Sequence, residues 1–175
     1  IEKRNPKTVG DIVRGLGKAG SKTNPRICAA MITFAKSPIL RRSPYAGMLF
    51  NGAGRPLPST GWATTVPASM GGNKTPIVDE AEIFEGRDSF VEGYHAKVFG
   101  GGKGKVGEAP KRLRRLTIDE CIAIQTFPAQ YDLAGSKSAQ YRQLGNAVPP
   151  ILAESVAAAL TRMLDGTTVT SIAAE

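Results

Sequence analysis

Residues able to bind a metal are scarce in this sequence. Cys28 and Cys121 are its only cysteines and His95 its only histidine, so no CxxC pair or Cys/His cluster is present to hold zinc. Aromatic residues make up only 6%, which argues against the base-stacking platforms of the common RNA-binding modules. Low-complexity tracts and membrane-spanning runs are also missing. Two unpatterned cysteines and no apolar leader fit a reducing, cytoplasmic setting. The first residue is Ile1 rather than Met, which reads as a start that was processed, trimmed or cut from something larger.

Acidic residues are outnumbered. There are 15 Asp and Glu against 23 Lys and Arg, a formal charge of +8, which favours a polyanionic partner through counterion release. Charge of this size does not by itself select a function. With 175 residues, 41% of them hydrophobic, the chain can bury one modest core and carry loosely held ends.

Thr8 followed by Asp11 resembles a helix cap with an acidic first turn, and Ile12, Val13 and Leu16 share a face before Gly17 and Gly20. About two turns of helix are expected there. From Ser37 to Pro110 glycines and prolines recur, and Met48-Leu49-Phe50 runs into the turn signal Asn51-Gly52. Irregular β structure with long loops is expected, with Thr64-Thr65-Val66 and Ile77-Val78 as strands and Ser69 to Lys74 as a polar loop. The glycine-rich run from Gly93 to Lys105 misses the phosphate-loop pattern, because Phe99 stands where the first glycine belongs and Val106 replaces Ser or Thr. It misses the dinucleotide fingerprint too, since Lys103 occupies the second glycine position, and is expected to be a flexible basic loop.

Lys111, Arg112, Arg114 and Arg115 form a basic run suited to phosphate contact or to a solvated face. Thr117 and Glu120 make a capping box, after which Ile118, Cys121, Ile122 and Ile124 supply an apolar side that ends by Pro128. A polar loop is expected next. Pro149-Pro150 then suits the first turn of a final helix, along which Ile151, Leu152, Val156, Leu160, Met163 and Leu164 recur until Gly166. Burying about six such side chains is worth on the order of 10 kcal/mol before entropy is subtracted, so this helix must pack on something.

Two segments carry a family resemblance. Arg114 to Tyr131, with Arg115-Leu116-Thr117, Glu120, Gln125, Phe127-Pro128 and Tyr131, is similar to the ninth motif of the DNA cytosine-5 methyltransferases. Ser138 to Val148, with Gly145-Asn146-Ala147-Val148, is similar to the tenth. In that family a large α/β domain holds S-adenosylmethionine and the catalytic groups, and a small domain reads the DNA. The resemblance implies that Asn146, Ala147 and Val148 line the methionine side of the cofactor site. A purely structural role remains open, with Asn146 capping a helix. It also implies that residues 37–112 occupy the place of the target-recognition domain, where Thr65-Val66 resembles a short Thr-Leu or Thr-Val element. Arg55, Asn73 and Lys74 then become candidates for reading base edges in the major groove, and Arg114 and Arg115 for holding phosphates.

The front of such an enzyme cannot be found. Methylation at cytosine C5 needs a thiolate to add to C6, a carboxylate near N3 and a flipped base in a closed pocket. The family supplies these from Pro-Cys and Glu-Asn-Val, whereas Cys28 follows Ile27, Cys121 follows Glu120 and Glu-Asn-Val is absent. The cofactor motif Phe-x-Gly-x-Gly is missing as well. No catalytic residue and no metal ligand is therefore assigned within this chain.

The resulting expectation is an α+β chain. Residues 1–36 connect and carry a short helix, 37–112 form the irregular β-rich recognition domain, 113–166 hold both motifs and the last helix, and 167–175 form a tail. The last helix is expected to pack on a missing α/β domain, or on a second copy when the chain is isolated. Expected partners are double-stranded DNA and a catalytic methyltransferase subunit or domain, with S-adenosylmethionine at a shared site and no membrane, in a prokaryotic or phage-like cytoplasm. A non-catalytic sequence-specific DNA-binding module is the alternative.

Overall fold

Caps written into the sequence place most of the helices in this computed structural model, which describes residues 5–166. Helix α1, Val9–Leu16, begins at Thr8, whose hydroxyl accepts from the Asp11 amide while the Asp11 carboxylate turns back to Thr8. Its buried side is Val9 and Val13; of the face expected from the sequence only Val13 is fully buried, Ile12 and Leu16 being half-buried, and Gly17 ends the helix at φ 83°. The expected tail, 167–175, lies outside the described residues.

Strands β1, Phe34–Ile39, and β2, Met48–Phe50, pair antiparallel and lead into the Asn51-Gly52 turn. Strand β3, Ile77–Asp79, pairs antiparallel with β4, Leu113–Arg115, placing Ile77 opposite Arg115 and Asp79 opposite Leu113. Because neighbouring side chains of a strand leave on opposite faces, Ile77 and Leu113 enter an aromatic cluster with Phe34, Phe50 and Tyr94. Val78 enters a second cluster with Val13, Leu116, Ile122 and Leu144 on the other side. One short ladder thus separates two apolar cores.

The region expected to be irregular β structure contains two helices, α2, Glu80–Glu85, and α3, Phe90–Phe99. Asp79 organises both: its carboxylate accepts from the amides of Glu82 at 3.3 Å and Phe90 at 3.0 Å and pairs with Arg112 at 2.7 Å. The expected basic loop from Gly93 is helical as far as Phe99, with Val91, Tyr94 and Val98 facing the aromatic core. Only the remainder, which includes Lys103 and Lys105, is loop. Residues 64–66 form no strand and serve as an exposed loop edge with Val66 buried beneath. Strand β1 runs across the expected boundary between residues 36 and 37.

Helix α4, Ile118–Ile124, starts at the capping box of Thr117 and Glu120. The polar stretch expected to be a loop is helix α5, Lys137–Asn146, capped by Ser136. Helix α6, Pro150–Leu164, begins at the double proline as expected.

Candidate nucleic-acid interface and cofactor ledge

Two buried hydrogen bonds fasten α5 to the residues that flank α4. The Gln125 side chain donates to the Leu144 carbonyl at 2.7 Å, and the Tyr141 hydroxyl donates to the Leu116 carbonyl at 2.7 Å. Gly145 presses against the Pro67-Ala68 backbone so closely that a Cβ there would overlap the Pro67 carbonyl oxygen. Helix α5 is thereby fixed on three sides, and its end delivers Asn146, Ala147 and Val148 as a ledge. Asn146 is exposed and its amide has no hydrogen-bond partner among the described residues, while Val148 is 63% exposed. Asn146 is the last residue of α5 and Ala147 its C-cap, so the helix N-cap alternative for Asn146 does not hold.

The turn that follows α4 holds an unusual residue that reaches the start of α6. Thr126 adopts φ 61°, rare for a β-branched side chain, and its hydroxyl accepts from the Ile151 amide at 3.2 Å. This anchors the start of α6, whose apolar side chains then stay in solvent: Leu152 is 52%, Leu160 54% and Leu164 86% exposed. No residue of α6 is buried.

The loops at 51–55 and 71–75 lie against each other. The Gly54 amide donates to the Asn73 carbonyl at 3.2 Å, and neither Gly52 nor Gly54 leaves room for a Cβ, the one against Asn73 and the other against Thr75. Arg55 is fixed by its backbone at the edge of β3, where its carbonyl accepts from the Ile77 amide at 3.0 Å. Its side chain is exposed, as are Asn73 and Lys74. Arg55, Thr64 and Thr65 line a cavity of about 400 Å³ together with Pro67 and Pro76. Pro67 is also the contact of Gly145, so the loops and the ledge share one stretch of backbone.

Arg114 and Arg115 are not placed to hold phosphates. Alternation along β4 sends Arg114 into ion pairs with Glu120 at 2.7 Å and Glu80 at 3.3 Å. Arg115 turns the other way and is 1% exposed, donating to the Thr75 carbonyl at 2.6 Å. Glu120 is itself fully buried and also accepts from the Thr117 amide and from Asn24, whose side chain is buried as well. The pairs with Glu120 and Glu80 hold the Arg114 pKa above the usual guanidinium value against the opposing effect of burial. Of the basic run only Lys111 is fully exposed.

Neither cysteine sits on an exposed catalytic loop. Cys121 is fully buried within α4, where burial pushes its thiol well above the ordinary range. Cys28 is half-buried beside a cavity of about 190 Å³ that Arg114 and Arg115 also line. No group of three or more His, Cys, Asp or Glu able to hold a metal occurs among the described residues.

Residues 53–162 match the family model of C-5 cytosine-specific DNA methylases. The chain belongs to this family. Among its relatives, Type II methyltransferase M.AplI of Arthrospira platensis is 44% identical over 54 residues, 31% of this chain and 16% of that protein. Type II methyltransferase M1.HphI of Haemophilus parahaemolyticus is 48% identical over 50 residues, covering 29% and 13% respectively. DNA (cytosine-5)-methyltransferase 1A of Oryza sativa subsp. japonica is 42% identical over 64 residues, 35% of this chain and 4% of that protein. The matched segments therefore span a sixth or less of these relatives.

The methylase match begins at Ala53, inside the first recognition-loop candidate, and ends at Arg162 in α6. Sequence reasoning missed the groove before it. Lys36 and Ser37 are exposed and line a cavity of about 390 Å³ with Asn51 and Gly52. Their only signal was a lysine and a serine before Pro38, which carries no information until β1 and β2 are paired. The roles of Gln125 and Tyr141 were equally silent, because each depends on a carbonyl 19 or 25 residues away.

Proposed function

We propose that this chain is the DNA-recognition and cofactor-completing portion of a DNA (cytosine-5)-methyltransferase that methylates cytosine C5 in a specific double-stranded site. The nucleophile and the rest of the cofactor pocket come from a partner subunit or a further segment. The reading rests above all on the ledge at Asn146 to Val148, held on α5 and flanked by α6, none of whose residues is buried. Such an arrangement supplies one wall of a site and the means to dock the other.

The ledge residues suit S-adenosylmethionine. Asn146 offers an unpaired donor and acceptor for a zwitterionic amino-acid end, and Val148 offers exposed methyl groups for an aliphatic stem. S-adenosylmethionine, when bound, supplies the methyl group. Asn146 would orient its polar end, Val148 would exclude water beside it, and Arg55, Asn73 and Lys74 would read DNA from the adjoining loops. With its thiol buried and held protonated, Cys121 is unsuited to attack a base. Free of its partner, the chain would pair its α6 stripe with that of a second copy.

Transfer of labelled methyl groups to DNA tests this reading, with the chain alone and with the chain mixed with a family polypeptide carrying the Pro-Cys nucleophile and the cofactor motif. Activity in the mixture only is expected, together with weaker S-adenosylmethionine binding when Asn146→Ala is used. Activity of the chain alone would overturn the placing of the nucleophile elsewhere. DNA binding with no complementation would point instead to a non-catalytic DNA-binding module.

A further inference from the structure

We infer that Trp62 is an aromatic platform that stacks on an unpaired nucleobase of bound DNA. The inference rests on the reading of this chain as the DNA-recognition portion of a methylase. Trp62 is the only tryptophan in the sequence, and its indole is 67% exposed, with no hydrogen bond or ring contact among the described residues. The loop that carries it is nonetheless pinned on both sides. The Val9 and Gly10 amides at the start of α1 donate to the Gly61 carbonyl at 2.9 Å and the Ser59 carbonyl at 2.8 Å, and a Cβ on Gly10 would overlap the Ser59 oxygen. The buried Ser59 hydroxyl donates to the Glu82 carboxylate. On the other side Ala63 packs against the core and Val66 is buried. Trp62 is thus held out in solvent between two anchored neighbours, Gly61 and Ala63.

Nothing in the fold requires an indole at this position. A polar side chain would let the loop cross the surface equally well, whereas an indole brings a large flat apolar face whose attraction is realised only when something covers it. The surroundings of the ring select what that is. Thr60, Thr64 and Thr65 are exposed, and the last two line the cavity of about 400 Å³ together with Arg55. A docking protein meets six large apolar side chains together on α6, but around Trp62, from residue 60 to 65, only glycine, alanine and threonine. A single flat ring flanked by hydroxyls and a guanidinium fits a nucleic acid instead, because its bases stack on aromatic faces while its phosphates and sugars accept from arginine and threonine. Bases stacked within an intact duplex present no open face. Methylation at cytosine C5 requires unpairing at the target, so the reaction itself creates a base that the indole can cover.

Because Trp62 is the only tryptophan, indole fluorescence of the full chain reads its surroundings directly. The probes are an intact DNA duplex, the same duplex carrying a single-base bulge, and single-stranded oligothymidine. The bulged duplex and the oligothymidine are expected to quench the indole by about half or more through stacking, and the intact duplex to bind while quenching only slightly. In anisotropy titrations of the labelled duplexes, W62A should lose about tenfold of the preference for bulged over intact DNA. Its affinity for the intact duplex should stay within about twofold of wild type at an unchanged salt dependence, because the phosphate contacts remain. W62F, which keeps a smaller ring, should fall between. Equal quenching by intact and bulged duplexes, or a W62A variant with wild-type preference, would overturn the inference and leave DNA recognition standing. So would an indole signal that changes only when the family polypeptide carrying the nucleophile is added, since the ring would then be a protein contact. A chain that binds none of these probes would overturn the DNA-recognition reading and the inference with it.

Discussion

Replacing Gly145 by alanine should destabilise the chain, although the same change inside a helix ordinarily helps. Removing a helical glycine gains roughly 0.5–1 kcal/mol in backbone entropy. Here the new Cβ would lie under 3.0 Å from the Pro67 carbonyl oxygen and 3.1 Å from Ala68 Cα, both backbone atoms that cannot swing aside. The Pro67 carbonyl is also committed, accepting from the Met70 amide at 2.9 Å, and Met70 is buried against Cys121. Relief therefore requires moving either α5 or a turn whose far end is core. Overpacking of this kind costs about 1–3 kcal/mol, which leaves a net loss of about 1–2 kcal/mol after the helix gain. With a urea slope of roughly 1–3 kcal/mol per molar, the unfolding midpoint should fall by about 0.5–1 M. Movement of α5 would also displace Asn146, so cofactor binding by the reconstituted enzyme should weaken in step. An unchanged or higher midpoint would refute the close approach on which the ledge depends.

Glu120→Gln should cost about 3 kcal/mol or more in urea unfolding, because it leaves the buried Arg114 guanidinium without the carboxylate at 2.7 Å; a loss below about 1 kcal/mol would show that Glu80 alone suffices. Stability should also fall in alkali. Burial raises the folded pKa of Cys121 above its ordinary 9.0 and that of Tyr141 above 10.0, so their contribution is complete below those values and is lost as pH rises past them. Each group contributes a slope of about 1.4 kcal/mol per pH unit beyond its unfolded pKa, and Cys121→Ala should remove the slope that begins near 9 in a stability profile taken between about pH 7 and 11. Leu160→Glu on α6, where Leu160 is 54% exposed, should change the stability of the chain at concentrations low enough to keep it monomeric by no more than about 0.5 kcal/mol while abolishing methyl transfer in the complemented mixture; retained transfer would exclude this face from docking.

What the sequence disclosed was whatever is decided within a turn or two. Thr8 with Asp11, Thr117 with Glu120, and Pro149-Pro150 each set a helix start from residues three apart or less, and all three helices begin there. Helix α3 escaped notice because its buried residues, Val91, Tyr94, His95 and Val98, are interrupted by Gly93 and run into a glycine-rich tail that resembles a loop. Helix α5 escaped because it buries only Tyr141 and Leu144 and is otherwise polar. Its stability comes from hydrogen bonds to residues far along the chain. The fates of Arg114 and Arg115 were illegible for a related reason. As a string they are two equal cations, and only pairing with β3 sends one to Glu120 and the other to the undersides of the loops at 51–55 and 71–75.

The same reasoning explains how the described residues can be well packed from α1 to α5 and still leave one face open. From α1 to α5 nearly every charge turned inward meets a partner, and the two clusters flanking the β3 and β4 ladder bury most of the large apolar residues. The exposed large apolar residues are densest along α6, where Ile151, Leu152, Val156, Leu160, Met163 and Leu164 all stay in solvent. Scattered exposed leucines are ordinary on a protein surface, whereas a helix with no buried residue and six large apolar side chains in solvent is not. Covering that face returns on the order of 10 kcal/mol, which is comparable with the roughly 4–15 kcal/mol that association costs in lost freedom. Docking through α6 is therefore balanced rather than overwhelming. On the proposed reading, a ligand that touched both the ledge and a docked domain would add its own binding energy to that balance, so the position of the ledge, immediately before α6 in sequence, would link cofactor binding to assembly.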